Sequence, residues 1–406
     1  MEPAALFDAA LALHRKGSLD EAAALYEQAL AVVPDHPGLL NNFGALRLSQ
    51  GRLEDAATLW RRLLSLRPQM ADAHNNYGTL LRRLGDRTQA IDHFRRATEL
   101  RADYADAYYN MGSAYLDEDR FELAVGPFLE AVRLRPDSPD ICGNLARALD
   151  GAGRTEEALA YGERTLELKD QAACEGFSAK GENLPIFPPF RPFSPESPRR
   201  NIIAFSLWGD RPFYTEGAVA NAELQPKIYP GWTCRFYVDR SVPADILARL
   251  ERHGAEVVPM TMTQGPFEGL FWRFLAADDP TVDRFLCRDC DARLNTQEQA
   301  AVAAWLASDK PFHSMRDAPF HTELILAGLW GGVGGLLKGI EAQWRAFYKP
   351  HHSRWSDQDF LRLEIWPKIK SQLLTHDSYY RFNGAVDFPP EGRRIRPYHV
   401  GAGEPV

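Results

Sequence analysis

The stretch FLCRDCDARL, Phe285 to Leu294, overlays two patterns that could hold a metal. Cys287 and Cys290 form a CxxC, the spacing of a zinc clip or a redox pair, while Asp289 and Asp291 form a DxD suited to a hard cation. A structural zinc site needs four soft or borderline ligands, but Cys142, Cys174 and Cys234 stand alone in the chain. A redox CxxC opens a helix whose terminus lowers a thiol pKa; here the pair follows the apolar run DRFLC. Side chains alternate along extended backbone, so Asp289 and Asp291 project to one side while Cys290 turns toward the core. Two converging carboxylates suit Mg²⁺ or Mn²⁺, which keep other positions for water and substrate phosphate.

Further acidic residues follow in WSDQDF, where Asp357 and Asp359 open the amphipathic segment DQDFLRLEIWPKIKSQLL. Carboxylates are favoured there by the helix dipole and can also face a ligand. His376 in LLTHDSYY ends the next apolar run. The elements that must position these groups are readable from Asn201 onward. NIIAFSLW, TCRFYVD and AEVVPM read as strands, and PFYTEGAVANAEL and PADILARLERHG as helices. Alternation of this kind predicts an α/β layer with a mostly parallel sheet. Ligands of such sheets sit at the carboxyl ends of strands, here Ser206 to Asp210, Asp239 and the DxD itself.

In that order, an α/β half, a strand ending in DxD, a DQD at a helix start and a late histidine, residues 200 to 380 resemble the GT-A class of glycosyltransferases. The likeness is to the glycogenin and galactosyltransferase-like group, although the closing KPW of that group is absent and FPP stands at 388 to 390. The resemblance implies that Asp289 and Asp291 hold a Mn²⁺ or Mg²⁺ ion on the diphosphate of a nucleotide sugar, a UDP-sugar above others. It makes His376 the third protein ligand, with His399 in RPYHV as the competing candidate. Asp357, or failing it Asp359, would lie near the sugar and the acceptor hydroxyl as the catalytic carboxylate. Phe205, Ser206, Leu207 and Trp208 would take the base and ribose with Tyr214 and Asn221 close by. Arg273 in GLFWRF would meet the donor, and Gly328 in ILAGLWGG would lie behind the sugar. His313 and His321 read as sugar-pocket or structural residues.

The first 170 residues follow a different rule. Alanine recurs every 34 residues at Ala22, Ala56, Ala90, Ala124 and Ala158, an aromatic at Tyr26, Trp60, Phe94 and Phe128, and glycine at Gly44, Gly78 and Gly112. Proline closes the period at Pro34, Pro68 and Pro136. Small residues let paired helices approach, the aromatic fills the gap, and proline ends the second helix. This pattern resembles the tetratricopeptide repeat, in five copies, the last with Gly162 and Asp170 where the aromatic and proline would stand. Asparagine also recurs, at Asn42, Asn76, Asn110 and Asn144. Such a column either ties neighbouring repeats together or holds the main chain of an extended peptide acceptor. It is similar to the asparagine ladder of the protein O-GlcNAc transferases, whose repeats also precede a glycosyltransferase domain.

The expected organisation is therefore a tetratricopeptide arm over 1–172, a proline-rich linker with aromatic anchors over 173–200, and a GT-A-like α/β domain over 201–406. The implied activity is metal-dependent transfer of a hexosyl group from a nucleotide-diphosphate sugar to an acceptor hydroxyl, on a protein or peptide held by the arm. A polysaccharide or lipid-linked glycan acceptor is the alternative, as is a non-catalytic adaptor with a nucleotide-sugar-binding domain. The net charge of −8 and the lack of a Lys/Arg-rich run argue against nucleic acid. The N-terminus has no signal-peptide pattern, Leu324 to Leu337 is too short to span a membrane, and five cysteines fit reduced thiols, all pointing to the cytoplasm. Repeat arms often self-associate, which leaves a homodimer open.

Overall fold

The computed structural model describes residues 2–197, 200–349 and 353–391. Two compact units emerge, Met1–Gly162 and Glu163–Val406.

The first unit is a helical solenoid of antiparallel pairs: α1 (Pro3–Arg15) with α2 (Leu19–Val32), α3 (Pro37–Ser49) with α4 (Leu53–Leu66), α5 (Ala71–Arg83) with α6 (Arg87–Leu100), α7 (Ala105–Leu116) with α8 (Phe121–Leu134), and α9 (Pro139–Gly151) with the start of α10 (Thr155–Ala179). The glycine and aromatic columns fit into each other. A Cβ on Gly44 would stand 2.7 Å from the Trp60 ring, on Gly78 2.8 Å from Phe94, and on Gly112 2.9 Å from Phe128. Each ring therefore lies against a helix that carries no side chain beneath it. The turns within pairs repeat as well: Gly17, Gly51, Gly85 and Gly153 all take positive φ between 75° and 88°, and Asp119 takes the equivalent place at 53°. Left-handed backbone is nearly free for glycine and strained for other residues.

The period breaks at its fifth copy, where Asp170 holds the place of the closing proline; Ala102 holds it in the third copy, and there α6 still ends at Leu100. With Asp170 in that place, α10 runs on to Ala179, past the expected start of the linker, and from Glu163 it belongs to the second unit. Asp170 accepts from Trp366 Nε1 at 2.6 Å and from Lys370 Nζ at 2.7 Å. A residue that ends a helix elsewhere has become an anchor.

The second unit is built on a seven-stranded sheet in the order β3-β2-β1-β4-β6-β5-β7. Its strands are β1 (Asn201–Leu207), β2 (Thr233–Val238), β3 (Glu256–Pro259), β4 (Arg284–Arg288), β5 (Phe312–Arg316), β6 (Trp330–Val333) and β7 (Leu373–Asp377). The sheet is mostly parallel as expected, and mixed only in that β6 runs antiparallel to both β4 and β5. One face packs Ile203, Phe205 and Leu207 against α11 (Pro212–Ile228), α12 (Ala244–Arg252) and α13 (Thr296–Leu306). The other is covered by a 3-10 segment, Glu268–Ala277, and by α14 (Ile340–Phe347), with Phe271 stacked on Trp344 at 5.2 Å.

The amphipathic segment after Trp355 is helical but uneven. It begins as α15 (Ser356–Phe360), widens to a π turn over Leu361–Ile365, and resumes as α helix at Trp366–Ile369. Pro367 has no N–H for the i−4 carbonyl, which accounts for the break. The linker aromatics run along the amino ends of the strands: Phe187 meets Phe312, Phe190 lies under the Arg284 guanidinium, and Phe193 stacks on Trp232. Among the described residues no helix is long and apolar enough to cross a membrane.

Two glycines of the solenoid have opposite expected responses to a methyl group. Gly78→Ala forces Phe94 or a helix to move and is expected to lower stability by about 1–3 kcal/mol. Gly126 in α8 has open space around the Cβ position, so Gly126→Ala is expected to raise it by roughly 0.5–1 kcal/mol. Urea midpoints of the two variants read both signs.

Candidate functional site

Strand β1 lies beside β4, but the chain leaves β1 toward β2 on its other side. Loops from the two carboxyl ends therefore part and leave a crevice between them. A cavity of about 800 Å³ occupies it. Ser206 to Arg211 and Tyr214 form the wall after β1, and Asp289, Cys290 and Asp291 the wall after β4; Arg273, Asp357 and Gln358 close the inner end.

Arg273 joins these walls. It is 4% exposed. One terminal nitrogen donates to Asp289 Oδ1, the other to Asp357 Oδ2 at 2.7 Å, and its backbone N–H donates to Ser206 Oγ at 3.0 Å. Burial works against the guanidinium charge, yet Asp289 and Asp357 together hold its pKa above the ordinary value. Asp357 is almost wholly buried, and that burial outweighs Arg273 and pushes its carboxyl up to about 6. Asp291 is also raised, first by burial and then by the charge of Asp289. A Cβ at Gly328 would overlap the Asp289 carboxylate. Gly328 is thus a place where the acid group leans on bare backbone.

Of the expected donor-binding residues, Ser206, Leu207, Trp208, Tyr214 and Arg273 line the cavity, and Gly328 backs Asp289. Phe205 does not: its side chain alternates to the opposite face and stacks on Phe236 at 4.7 Å in the core. Asn221 is buried, donating to Ala292 O at 2.8 Å and accepting from Leu294 N at 3.0 Å. Its groups serve the loop behind the carboxylates, not the cavity. Asp359 points away to Arg362. Asp357 is the one that lines the site.

His376 is not brought to Asp289 and Asp291. Three strand steps across the sheet separate β7 from β4, about 14 Å at the usual spacing. His376 instead meets His313, Nδ1 to Nε2, at 2.9 Å, and burial lowers its pKa to about 4. The competing His399 lies outside the described residues. Among the described residues no three His, Cys, Asp or Glu side chains gather as a ligand set. The donors at the cavity that suit a hard cation are the two carboxylates, with Asp291 raised by burial and by the charge of Asp289. They fit Mg²⁺ or Mn²⁺ completed by water and phosphate oxygens. The cysteines do not compete: burial pushes Cys287 up to about 12 and raises Cys290 as well, so neither is a thiolate.

Sequence reasoning missed Gln358, Arg211, Arg354 and the Pro266–Leu270 wall. Only Gln358, lying inside the quoted DQD, carried a signal.

In the solenoid the asparagine column is engaged between repeats. Asn76 donates to Asn41 at 3.0 Å, Asn110 to Asn75 at 2.9 Å and Asn144 to Tyr109 at 3.0 Å. Each bond joins one repeat to the one before it.

A family profile for the tetratricopeptide repeat matches residues 1–37, 42–105, 78–139 and 109–173. Residues 1–173 are tetratricopeptide repeats. Solved structures similar to the chain include MamA, 24% identical over 45% of this chain and 97% of that one, TM-score 0.38. A thermophilic tetratricopeptide protein of Thermus thermophilus is 23% identical over 41% and 91%, TM-score 0.36. YrrB, a tetratricopeptide protein with an unusual peptide-binding site, is 19% identical over 44% and 91%, TM-score 0.36. No curated protein sequence matches the chain.

The raised pKa of Asp357 sets a pH dependence. Its folded value of about 6 lies above the unfolded one near 3.8, so the native state binds the extra proton between them. Stability from this group is full below about pH 4 and is lost as pH rises through 6. Asp357→Asn removes a charged acceptor of Arg273 but escapes that pH-dependent loss, so the stability difference between variant and wild type is expected to shift toward the variant by up to about 3 kcal/mol from pH 4 to pH 7. Urea unfolding of both proteins across that range measures it.

Proposed function

We propose that the second unit is a glycosyltransferase domain of the GT-A class, moving a hexosyl group from a nucleotide-diphosphate sugar to an acceptor hydroxyl, and that the repeat arm holds a protein or peptide acceptor. The observation that carries this reading is the pair Asp289 and Asp291 at the exit of β4, facing a cavity at the sheet's switch point together with Arg273 and Asp357.

In this reading Asp289 and Asp291 hold the Mn²⁺ or Mg²⁺ ion, which when bound supplies Lewis-acid compensation for the leaving diphosphate. Ser206, Leu207, Trp208 and Tyr214 receive the base and ribose, a UDP-sugar being the first donor to try. Arg273 presents fixed positive charge at the inner wall. Asp357 accepts the acceptor's proton if the anomeric centre inverts, and its pKa of about 6 suits a base working near neutral pH. The arm, tethered to this unit, raises the effective concentration of the acceptor.

One observation favours a second reading, a repeat adaptor whose second unit binds without turnover: Asp289 is already paired with Arg273. Titration calorimetry of UDP-sugars with and without Mn²⁺, joined to an assay of released nucleoside diphosphate, separates the two. The enzyme reading expects Mn²⁺-dependent donor binding that Asp291→Ala abolishes, with diphosphate released. Binding without release supports the adaptor, and no binding of any nucleotide sugar sinks both.

The ladder has its own test. Asn76→Ala with Asn110→Ala removes two bonds between repeats, expected to cost roughly 0.5–1.5 kcal/mol each. If the column also reads the acceptor, the folded double variant loses acceptor affinity. Unchanged affinity would leave the asparagines a purely structural job.

A further inference from the structure

The loop that carries the two carboxylates is held from behind by one face of α11. Gly217 and Asn221, four residues apart, lie on the same side of that helix. A Cβ on Gly217 would overlap the Cys290 carbonyl oxygen and stand 2.7 Å from Arg293 Nη1, so the helix meets the loop backbone with nothing between. One turn on, the Asn221 carboxamide donates to Ala292 O at 2.8 Å and accepts from Leu294 N at 3.0 Å. Arg293 Nη1 closes the same loop on Cys290 O and Ala292 O, both at 3.2 Å. On the far side Cys290 Sγ donates to Ser206 O at 3.3 Å, tying the loop to β1.

These bonds govern direction. The Cys290 carbonyl lies in the peptide plane before Asp291, and the Ala292 N–H, which donates to Asp289 O at 3.3 Å, lies in the plane after it; with Ala292 O held one plane further on, the backbone through Asp291 is fixed and so is the direction of its Cα–Cβ bond. Asn221 is fully buried, and a buried amide is tolerated only with both donor and acceptor matched. A carboxylate of the same shape could accept from Leu294 N but could not donate to Ala292 O. The amide and the missing side chain four residues before it are thus both specified by the loop.

We propose that Gly217 and Asn221 are positioning residues that aim the Asp289 and Asp291 carboxylates through the backbone of Cys290–Leu294. The inference rests on reading those carboxylates as the cation and diphosphate site. Neither residue touches the cavity contents. They act as the outer support of a ligand set, where substitutions commonly weaken metal binding by about tenfold or more.

The test titrates Mn²⁺ alone into the full-length protein by calorimetry and follows backbone hydrogen exchange at residues 290–294. The variants are Asn221→Ser, Asn221→Asp and Gly217→Ala, with Val219→Ala as a core substitution on the same helix. Mn²⁺ affinity is expected to fall about tenfold in Asn221→Asp and Gly217→Ala, with faster exchange at Leu294 in Asn221→Ser, which cannot reach the Leu294 N–H. Val219→Ala is expected to lower the melting temperature and leave Mn²⁺ affinity unchanged. If donor turnover is present, the donor KM rises more than kcat falls. Wild-type affinity in folded Asn221 and Gly217 variants overturns the inference, as does an equal loss in Val219→Ala. A wild type that binds no Mn²⁺ overturns the reading beneath it and this inference together, an outcome the wild-type titration alone identifies.

Discussion

Burying a guanidinium costs several kcal/mol unless its donors meet charged acceptors at good geometry. Arg273 satisfies that condition through residues that are distant in the chain: Asp289 at the end of β4, Asp357 at the start of α15, and Ser206 on β1 through its backbone N–H. The 3-10 segment that carries it is wedged over the sheet by Phe271 and Phe274, which pack on Trp344, Phe360 and Trp330. The aromatic layer fixes where the charge sits, and the charge fixes which strand ends and helix start must meet. Removing it would leave the buried Asp357 carboxylate without its counter-ion. The cavity's inner wall is therefore a product of this one buried cation.

The solenoid depends on a different rule, contact between a bare helix surface and a ring. Gly44, Gly78 and Gly112 admit Trp60, Phe94 and Phe128, and the amide column then links each pair to its neighbour. Stability in such arrays is a sum of local and nearest-neighbour terms, so the inter-repeat amide bonds contribute once per junction. The last repeat ends the series by losing two marks of the period. There the helix continues, and Asp170, at the place of the closing proline, is bonded to Trp366 and Lys370.

What could be read from the residues alone follows from how local the cause is. The repeat was legible because 34-residue spacing of Ala, Gly and aromatic residues restates one contact several times. The DxD was legible because alternation along a strand is a local property, and the structure keeps Asp289 and Asp291 at the cavity with Cys290 turned inward. Strand order is not local. His376 ends an apolar strand as expected, yet β6 and β5 stand between it and Asp289, and no pattern in the chain announces an antiparallel insertion. Asn221 and Phe205 failed for a related reason: the resemblance placed them by their position along the chain, which does not say whether a side chain meets ligand, loop or core. The turn glycines at 17, 51, 85 and 153 were a missed signal of the easy kind, hidden because Asp119 breaks the series.

The charge count at the cavity carries the argument one step further. Asp210, Asp289, Asp291 and Asp357 against Arg211, Arg273 and Arg354 leave one negative charge in excess when all are ionised, and the charge of Asp289 raises both Asp291 and Asp357, burial being the larger cause in each. An incoming diphosphate alone would add to that excess and be repelled by Asp291 at close range. A divalent cation alone would lower it and bring Asp291 back toward full ionisation. In the proposed reading the cation and the diphosphate would therefore be coupled through the same carboxylates, each binding better in the presence of the other by the same factor in either direction. Such coupling needs no conformational change, only that the carboxylates keep their aim, which is why the uncharged residues behind the loop matter as much as the charged ones in front of it.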